Sequence, residues 1–251
     1  PSISHLGLIV NATEMSLTVP EEKLANVKHI INQLFTINSQ NNAVPIKLIA
    51  KLAGKLESMA IAIPIIRTFT QEIYQFHFRN HKVVSWDEVT QLNSQLIIEL
   101  NVVKDSIEKW NGKSFISPDT SIITVLDTDA SKIGAGAKLT SNTTTAKFST
   151  PWNNLEKELH INDQELMAIV RSVKHFLPLL KNKALQIRTD SRVAFYDLKK
   201  LSAKTMQHNL LIREFILMCL HNNIRIMEPI WISTKDNSEA DELSREMDRH
   251  D

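Results

Sequence analysis

The chain of 251 residues carries 29 Lys and Arg against 28 Asp and Glu, a formal net charge of +1, and 43% of its residues are hydrophobic. This balance excludes a disordered or fibrous protein, and no apolar stretch is long enough to span a membrane, so no membrane partner is expected. The lone Cys219 excludes an internal disulfide. We therefore expect an intracellular protein, cytoplasmic or nuclear, with this thiol packed inertly in the core. Because the chain starts at Pro1 rather than Met, we expect a fragment of a longer protein.

The first part of the chain is predicted to be a short hairpin followed by helices. Proline at the first helical position is typical of a helix start, Pro20 is followed directly by two acids, and apolar residues recur at helical spacing beyond both Pro20 and Pro45. The predicted elements are a strand over 3–10, its hairpin partner over 15–19, helices opening at Pro20 and Pro45, a polar loop over 38–42, a kink or stop at Pro64, and helices over 65–78 and 86–110.

A second part follows a proline-containing linker over 114–121, so we predict domains of 1–113 and 114–251. Strands, then alternating helices and strands, predict an α/β architecture in which helices pack on a mixed sheet. The predicted elements are strands over 122–127, 134–139 and 144–148, a helix over 163–180, a strand over 185–189, helices over 192–201 and 205–221, a strand over 224–232, and a helix over 238–247.

The central feature of the second part is the stretch Thr-Val-Leu-Asp-Thr-Asp-Ala-Ser at 124–131. Its apolar residues predict a buried strand that delivers a carboxylate at its far end. Gly134 and Gly136 are then expected to allow a tight return into the next strand. A poorly solvated acid in that place either holds a cation or caps another group.

Four acids occupy chemically similar places in the predicted order. Asp129 ends the first strand of this part, Glu165 lies in the first turn of a helix, Asp190 ends the fourth strand, and Asp241 lies early in the last helix. Because strand ends and helix starts converge on one edge of such a sheet, we expect all four to meet there. Without basic partners they would repel each other, and divalent cations remove that cost. Carboxylate oxygens suit Mg²⁺, and two such ions can promote phosphodiester cleavage.

Each acid also has a structural explanation. Glu165 stands three residues after Asn162, which is the spacing of a capping box. Asp190 with Ser191 could cap the following helix, and Asp241 could simply favour a helix N-terminus. Four acids at the matching ends of four elements favour the metal site.

Basic residues strongly outnumber acids between Arg171 and Lys204. Under a structural interpretation, this stretch forms the solvated surface of helices. Under a functional interpretation, it forms a track that binds nucleic-acid phosphates. The residues alone favour the solvated helix surface.

Four short motifs follow one another in the second part. They are Thr-Asp-Ala-Ser (128–131), His-Ile-Asn-Asp-Gln-Glu-Leu (160–166), Thr-Asp-Ser (189–191) and Ala-Asp-Glu-Leu-Ser-Arg (240–245). In this order they resemble the motifs of a retroelement ribonuclease H, and the resemblance covers about 120–251. The phrase His-Ile-Asn-x-x-Glu-Leu with the closing Asn-x-x-Ala-Asp-x-Leu-Ser-Arg at 237–245 is most similar to retrotransposons of the DIRS group. The resemblance implies a ribonuclease H-like fold, a mixed five-stranded sheet with flanking helices, in which the motif's acid is Asp129 rather than Asp127.

This resemblance implies hydrolysis of the RNA strand of an RNA–DNA hybrid, leaving 3′-hydroxyl and 5′-phosphate ends. Two Mg²⁺ ions would serve the reaction, with Mn²⁺ able to substitute. Asp129 would bridge both ions, and Asp241 would lean towards the ion that holds the attacking water. Glu165 and Asp190 would lean towards the leaving-group ion. Recognition would rest on 2′-hydroxyl contacts and groove shape rather than base sequence.

The resemblance also favours the phosphate track and extends it to a set of expected nucleic-acid contacts. His160 and Asn162 are expected to be structural, with His160 orienting the helix start that carries Glu165. Trp231 stands where related sequences commonly carry a histidine that helps release product, so turnover should be slow unless Lys235 substitutes. The expected contacts are Ser131, Lys174, Arg188, Ser191, Arg192, Lys199, Lys200, Lys204 and Lys235.

Short motifs in the first part resemble other pieces of a reverse transcriptase. His-Leu-Gly-Leu at 5–8 is similar to the strand after the palm, and the motifs at 20–24 and 52–56 are similar to thumb and connection segments. Residues 1–113 are thus expected to be a mostly helical thumb or connection region. Because no Tyr-x-Asp-Asp box occurs, no polymerase activity is expected, and the fingers and palm of the same enzyme are an expected partner.

Two other functions remain open. A catalytically silent ribonuclease H-fold domain would act in nucleic-acid binding or assembly, although retention of all four acids argues against it. A transposase or integrase shares the fold and an acidic cluster. The helix carrying Glu165 before Asp190, together with the closing motif, argues for the nuclease.

Overall fold

The computed structural model describes residues 1–41, 43–74, 85–115 and 123–246. The chain forms two compact units, Pro1–Ser117 and Pro118–Asp251. The predicted boundary at 113–114 lies close to this division, and most of the predicted linker falls outside the described residues. Within the described ranges, no helix combines the length and apolarity that crossing a membrane requires.

The first unit is an antiparallel sheet and a set of helices, as its elements in chain order show. They are β1 (Ser2–His5), β2 (Leu8–Asn11), β3 (Ser16–Thr18), α1 (Glu21–Asn41), β4 (Val44–Pro45), α2 (Ile46–Met59), α3 (Ile66–Tyr74), β5 (Val89–Thr90), α4 (Ser94–Ser106) and β6 (Lys113–Ser114). The last four residues of the helix predicted over 65–78 lie outside the described residues.

The single strand predicted over 3–10 is wrong, since a turn divides it into β1 and β2. Leu6 and Gly7 both have positive φ, 49° and 74°, and His5 pairs with Leu8 across the turn. Two consecutive residues with positive φ form the tight hairpin turn whose twist matches antiparallel strands. The sheet then continues in the order β1-β2-β3-β6.

Two helix boundaries in this unit also differ from prediction. The polar loop predicted from residue 38 is helical to Asn41, and the Asn38 side chain accepts a hydrogen bond from the Leu92 amide, 3.1 Å away. The helix predicted from 86 begins only at Ser94, because Asn93 caps it by accepting from the Leu96 amide at 2.7 Å. The intervening β5 pairs with β4 instead.

The second unit is a mixed sheet covered by helices, which confirms the predicted α/β class. Strands β7, β8 and β9 correspond to the three strands predicted at the start of this part and form an antiparallel meander, and β10 lies parallel to β7. Its elements are β7 (Ile123–Ala130), β8 (Gly134–Thr140), β9 (Thr145–Pro151), α5 (Asn154–Lys157), α6 (Ile161–Leu180), β10 (Ala184–Thr189), α7 (Arg192–Lys200), α8 (Met206–His221), β11 (Arg225–Ile226), β12 (Ile230–Trp231) and α9 (Ser238–Ser244).

The edge of this sheet departs from the prediction of one strand over 224–232. The sheet order is β11-β10-β7-β8-β9, and β12 also pairs with β10, so two short parallel segments share one strand position. Pro229 lies between the segments and has no amide hydrogen to donate, which interrupts the pairing. The sheet therefore has five strand positions, as predicted.

Gly134 and Gly136 are needed for close approach rather than for the turn predicted from them. A Cβ at Gly134 would lie 2.5 Å from the Thr150 carbonyl oxygen, and one at Gly136 would lie 2.2 Å from the Ser244 nitrogen. The second contact shows that the backbone of α9 lies directly on β8. Gly136 thereby sets the position of the last helix, which carries Asp241.

Cys219 is fully buried in α8. Burial raises the pKa of its thiol to about 12, so the sulfur remains protonated at neutral pH. The side chain fits the core packing predicted for it.

Candidate metal centre

Asp127 and Asp129 lie on the same face of β7, because alternate residues of a strand share a face. Arg188 on β10 forks onto Asp127, with Nε 2.5 Å from Oδ1 and Nη2 2.7 Å from Oδ2. These hydrogen bonds raise the pKa of Arg188 and pair its guanidinium with the Asp127 carboxylate. The structure thus gives Arg188 an intramolecular partner, and the nucleic-acid contact expected for it stays a prediction.

Asp129, Glu165 and Asp190 converge at the sheet edge. Each offers one carboxylate oxygen, and these oxygens all lie within 4.8 Å of one another. Asp129 comes from β7 and Glu165 from α6, and both are buried; Asp190 directly follows β10 and is half-buried. The expected convergence of strand ends with a helix start therefore brings together three of the four predicted acids.

Raised pKa values of the carboxyl groups show that bringing these acids together disfavours their charged forms. Burial raises the pKa of Glu165 to about 9, and the charges of Asp129 and Asp190 add to the effect. Burial likewise raises the pKa of Asp129 to about 6, against the lowering effect of a hydrogen bond from Ser244. Among the described residues, the buried Oε2 of Glu165 finds no hydrogen-bond partner.

This donor set fits a divalent cation. Convergent carboxylate oxygens are the ligands that hard cations such as Mg²⁺ or Mn²⁺ take, and a cation would neutralise the mutual repulsion. It would also give the buried Glu165 Oε2 a partner. Asp129, Glu165 and Asp190 are the residues that can hold it.

Asp241 differs from these three acids, because it has a basic partner in the chain. Arg245, one helical turn later in α9, donates from Nε and Nη2 to Asp241 Oδ1 at 3.0 and 2.6 Å. Asp241 does not join the three-oxygen group found among the described residues. Its charge nevertheless raises the pKa of both Asp129 and Glu165, so it lies beside the cluster.

Two hydroxyl groups orient the acids and are missing from the predicted site. Ser244 Oγ donates to Asp129 Oδ2 at 2.8 Å, and Thr234 Oγ1 donates to Asp190 Oδ2 at 2.8 Å. Ser244 belongs to the same closing motif as Asp241, and this is the sequence feature from which its place at the site could have been predicted. Nothing in the sequence around Thr234 indicates that its hydroxyl reaches Asp190, 44 residues away.

The start of α6 is fixed by His160 rather than by the capping box considered for Asn162 and Glu165. His160 is the N-cap residue, and its Nδ1 accepts from the Asn162 amide at 3.1 Å. Asn162 therefore lies inside the first turn. Because the helix begins at Ile161, Glu165 belongs to its second turn, not to the first as predicted.

Several residues expected to contact nucleic acid have partners within the chain. Ser131 is buried, where its hydroxyl donates to the Ser244 carbonyl at 2.7 Å and accepts the amides that close the β7–β8 turn. Ser191 caps α7 by accepting from the Ala194 amide at 3.3 Å. Lys199 pairs with Glu228 at 2.8 Å.

The remaining expected contacts lie on the surface of the second unit. Arg192, which begins α7, has its guanidinium 5.4 Å from the centre of the Trp231 ring. Six of the expected contacts are exposed basic residues, namely Lys174, Arg192, Lys199, Lys200, Lys204 and Lys235. Their exposure leaves them accessible, and their contacts with nucleic acid stay a prediction.

Trp231 is hydrogen-bonded to the backbone of Asp190, one acid of the cluster. Its Nε1 donates to the Asp190 backbone oxygen at 2.9 Å, while 44% of the residue remains exposed. It extends β12 beside Thr189. The residue in the place of the expected histidine therefore supports the backbone of Asp190.

The sheet and the site together define the class of protein. A mixed sheet in the order β11-β10-β7-β8-β9, with acids from β7, the end of β10 and α6 at one edge, is the ribonuclease H-like fold.

Residues 119–215 match the family described as "RNase H-like domain found in reverse transcriptase". Over these residues the chain is similar to that family. The matched stretch contains Asp129, Glu165 and Asp190 and ends before Asp241. No curated protein matches the sequence.

Solved structures with similar folds are ribonucleases H and a viral reverse transcriptase. The N-terminal RNase H domain of a Mycobacterium tuberculosis protein is 14% identical, with 50% of this chain and 98% of that chain covered and a TM-score of 0.41. LC11-RNase H1 from compost, solved with an RNA/DNA hybrid, is 18% identical, with coverage of 50% and 94% and a TM-score of 0.41. The foamy viral protease-reverse transcriptase, also solved with a hybrid, is 11% identical, with a TM-score of 0.35. The match covers 93% of this chain but 29% of the viral one.

Proposed function

We propose that residues 114–251 are a ribonuclease H domain that hydrolyses the RNA strand of RNA–DNA hybrids. Residues 1–113 are then the thumb or connection region of the same reverse transcriptase, whose fingers and palm would be the partner of this chain. The RNase H-like family matched by residues 119–215 supports the first statement. The origin in a DIRS-type retrotransposon rests on the resemblance of the closing motifs.

One observation carries the proposal. Three carboxylates from separate elements place oxygens within 4.8 Å of one another around a buried Glu165 oxygen that lacks a hydrogen-bond partner among the described residues. An arrangement this unfavourable for a protein without a ligand is explained by binding of a positive charge.

The residues of the cluster would hold Mg²⁺, with two ions as the expected number. When bound, divalent cations supply the positive charge that promotes attack of water on a phosphodiester and departure of the leaving oxygen. Ser244 keeps the Asp129 carboxylate in position, and Thr234 does the same for Asp190. Asp241, paired with Arg245, would complete the ligand set from beside the cluster.

The test uses short hybrids with a labelled RNA strand, incubated with the full chain and Mg²⁺. RNA of the hybrid should be cut to 3′-hydroxyl and 5′-phosphate ends, while duplex RNA and duplex DNA remain intact. EDTA should stop the reaction, and Mn²⁺ should restore it. Hybrid binding without cleavage in either metal would instead support a silent ribonuclease H-fold domain, and strand transfer into duplex DNA would support a transposase or integrase.

A further inference from the structure

An exposed group of aromatic and cationic side chains lies next to the acid cluster. Arg192, Phe195, Tyr196 and Trp231 line a cavity of about 280 Å³, and we call this group the aromatic surface. Tyr196 is 54% exposed and Trp231 is 44% exposed. Aromatic side chains with this exposure are not core residues, and their grouping around one cavity indicates a binding surface.

The rings of this surface are held in place. The Trp231 indole is fixed by its hydrogen bond to the Asp190 backbone oxygen and by the Arg192 guanidinium against the ring. The Phe195 and Tyr196 rings meet edge to face, with centroids 5.1 Å apart. Ordered rings lose little conformational entropy on binding, which favours stacking of a planar ligand.

The cations on the aromatic surface indicate which class of ligand it binds. Arg192 lies against the Trp231 ring, and the Lys199 ammonium, which also pairs with Glu228 at 2.8 Å, lies 5.7 Å from the centre of the Phe195 ring. Flat rings interleaved with cations are the combination by which proteins bind single-stranded nucleic acid, stacking bases while the cations attract phosphates. A paired base inside a duplex has no free face to offer.

We propose that the aromatic surface stacks an unpaired nucleotide of the RNA strand where that strand leaves the hybrid. This inference rests on the proposed function, because the cleaved strand is the one whose phosphate lies at the acid cluster. Trp231 links the surface directly to Asp190, so a strand with its phosphate at the cluster reaches the rings within a short distance. The chain would then prefer RNA that continues beyond the hybrid over blunt ends.

The test measures binding by the full chain in EDTA, so that no RNA is cut. A blunt hybrid is compared with hybrids whose RNA strand carries a few unpaired nucleotides at the 5′ or the 3′ end, and with hybrids extended on the DNA strand. One RNA extension should tighten binding on the order of fivefold to a hundredfold, the range expected for a stacked base. The same extension should quench tryptophan fluorescence.

Variants separate stacking from folding. Tyr196→Ala should remove the advantage of the RNA extension while leaving the affinity for the blunt hybrid unchanged. Trp231→Phe keeps a ring, so it should retain most of the advantage but lose the quenching. Leu155→Ala, at a residue 83% exposed elsewhere in the unit, is the matched control and should change neither.

Equal affinity for blunt and RNA-extended hybrids would overturn the proposal, as would a preference for DNA extensions or an advantage that survives Tyr196→Ala. The outcome is independent of cleavage. If the extension preference is found but Mg²⁺ produces no cleavage, the surface stands and the nuclease function fails. If Mg²⁺ produces cleavage but RNA extensions bring no gain in affinity, the nuclease function stands and the proposal for the aromatic surface fails.

Discussion

Ser244 in α9 donates a hydrogen bond to Asp129 in β7 across 2.8 Å, although the two residues are 115 positions apart in sequence. The bond lowers the pKa of a carboxyl that burial raises, so Ser244 favours the charged form of Asp129. It therefore both attaches the last helix to the central strand and prepares one acid for a cation.

Ser244→Ala should weaken binding of Mg²⁺ or Mn²⁺ by about tenfold and lower the free energy of unfolding by about 1–2 kcal/mol, as expected when a buried carboxylate loses a hydrogen bond. Calorimetric titration and denaturant unfolding measure the two effects. Ser149→Ala is the matched control, because Ser149 Oγ donates to the Leu243 carbonyl of the same helix at 2.7 Å without touching an acid. Equal cation affinity in both variants would show that Ser244 does not position Asp129.

Glu165→Gln should stabilise the chain in EDTA and abolish its stabilisation by divalent cations. In the unfolded chain Glu165 is ionised above its ordinary pKa of 4.5, whereas the folded chain keeps the proton up to about 9. The folded wild type thus loses stability as the pH rises through this interval, and Gln cannot ionise. Near about pH 8 the variant should gain at least about 1 kcal/mol in unfolding free energy.

Glu158→Gln, at an exposed position before α6, is the control for that measurement. It should leave both the EDTA stability and the cation response unchanged. A Glu165→Gln variant that is less stable than the wild type in EDTA, or that is stabilised by Mg²⁺ as strongly, would contradict the account of the cluster.

Gly136→Ala should displace α9 from β8. The added Cβ would lie 2.2 Å from the Ser244 nitrogen and 2.3 Å from the Ala240 oxygen, and backbone atoms cannot move aside as a flexible side chain can. We expect a loss of about 1–3 kcal/mol in unfolding free energy, or a shifted helix with weaker cation binding. Gly54→Ala, where a Cβ meets nothing within 4 Å, should be neutral or slightly stabilising. Wild-type stability and cation binding for Gly136→Ala would refute the close packing.

His208 should make the stability of the second unit depend on pH. Its Nδ1 lies 3.0 Å from Asp197 and its Nε2 lies 2.8 Å from Asp163, so one imidazolium joins α6, α7 and α8. The hydrogen bond with Asp197, with support from Asp163, raises the pKa of His208 despite burial. Its contribution is complete below the unfolded value of 6.5 and is lost as the pH rises through the raised folded value.

His208→Gln should accordingly cost about 1.5–3 kcal/mol below about pH 6.5, and the difference from the wild type should shrink at higher pH. Urea unfolding at several pH values measures this difference. His221→Gln, at the last residue of α8, is the control and should show no such trend. A cost for His208→Gln that is constant with pH would show that the imidazole is not charged when folded.

Local signals predict much of this structure. Regular apolar spacing indicates α2, α6 and α8, and the turns between apolar runs indicate the β7–β9 meander. Because strand ends and helix starts meet at one sheet edge, the convergence of Asp129, Glu165 and Asp190 could also be inferred. The class of the second unit follows from these features.

Other features depend on partners that are distant in sequence. Arg188 and Asp127 are 61 residues apart, and nothing near either residue indicates the pair. The same holds for Thr234 with Asp190. Asp241 is different, because Arg245 stands one helical turn later, and this spacing alone predicts an ion pair. The start of α4 could likewise have been predicted from Asn93, because asparagine is a favourable N-cap residue.

Cleavage of a labelled RNA–DNA hybrid by Asp129→Asn and Asp127→Asn, side by side, tests the central claim most directly. The two aspartates lie on one face of β7, but only Asp129 belongs to the acid cluster. At a temperature where circular dichroism shows both variants folded, Asp129→Asn should lower the rate by on the order of a thousandfold, while Asp127→Asn stays within about tenfold of the wild type. Unchanged cleavage by Asp129→Asn, or no cleavage by the folded wild type with Mg²⁺ or Mn²⁺, would contradict the assignment of a metal-dependent ribonuclease H.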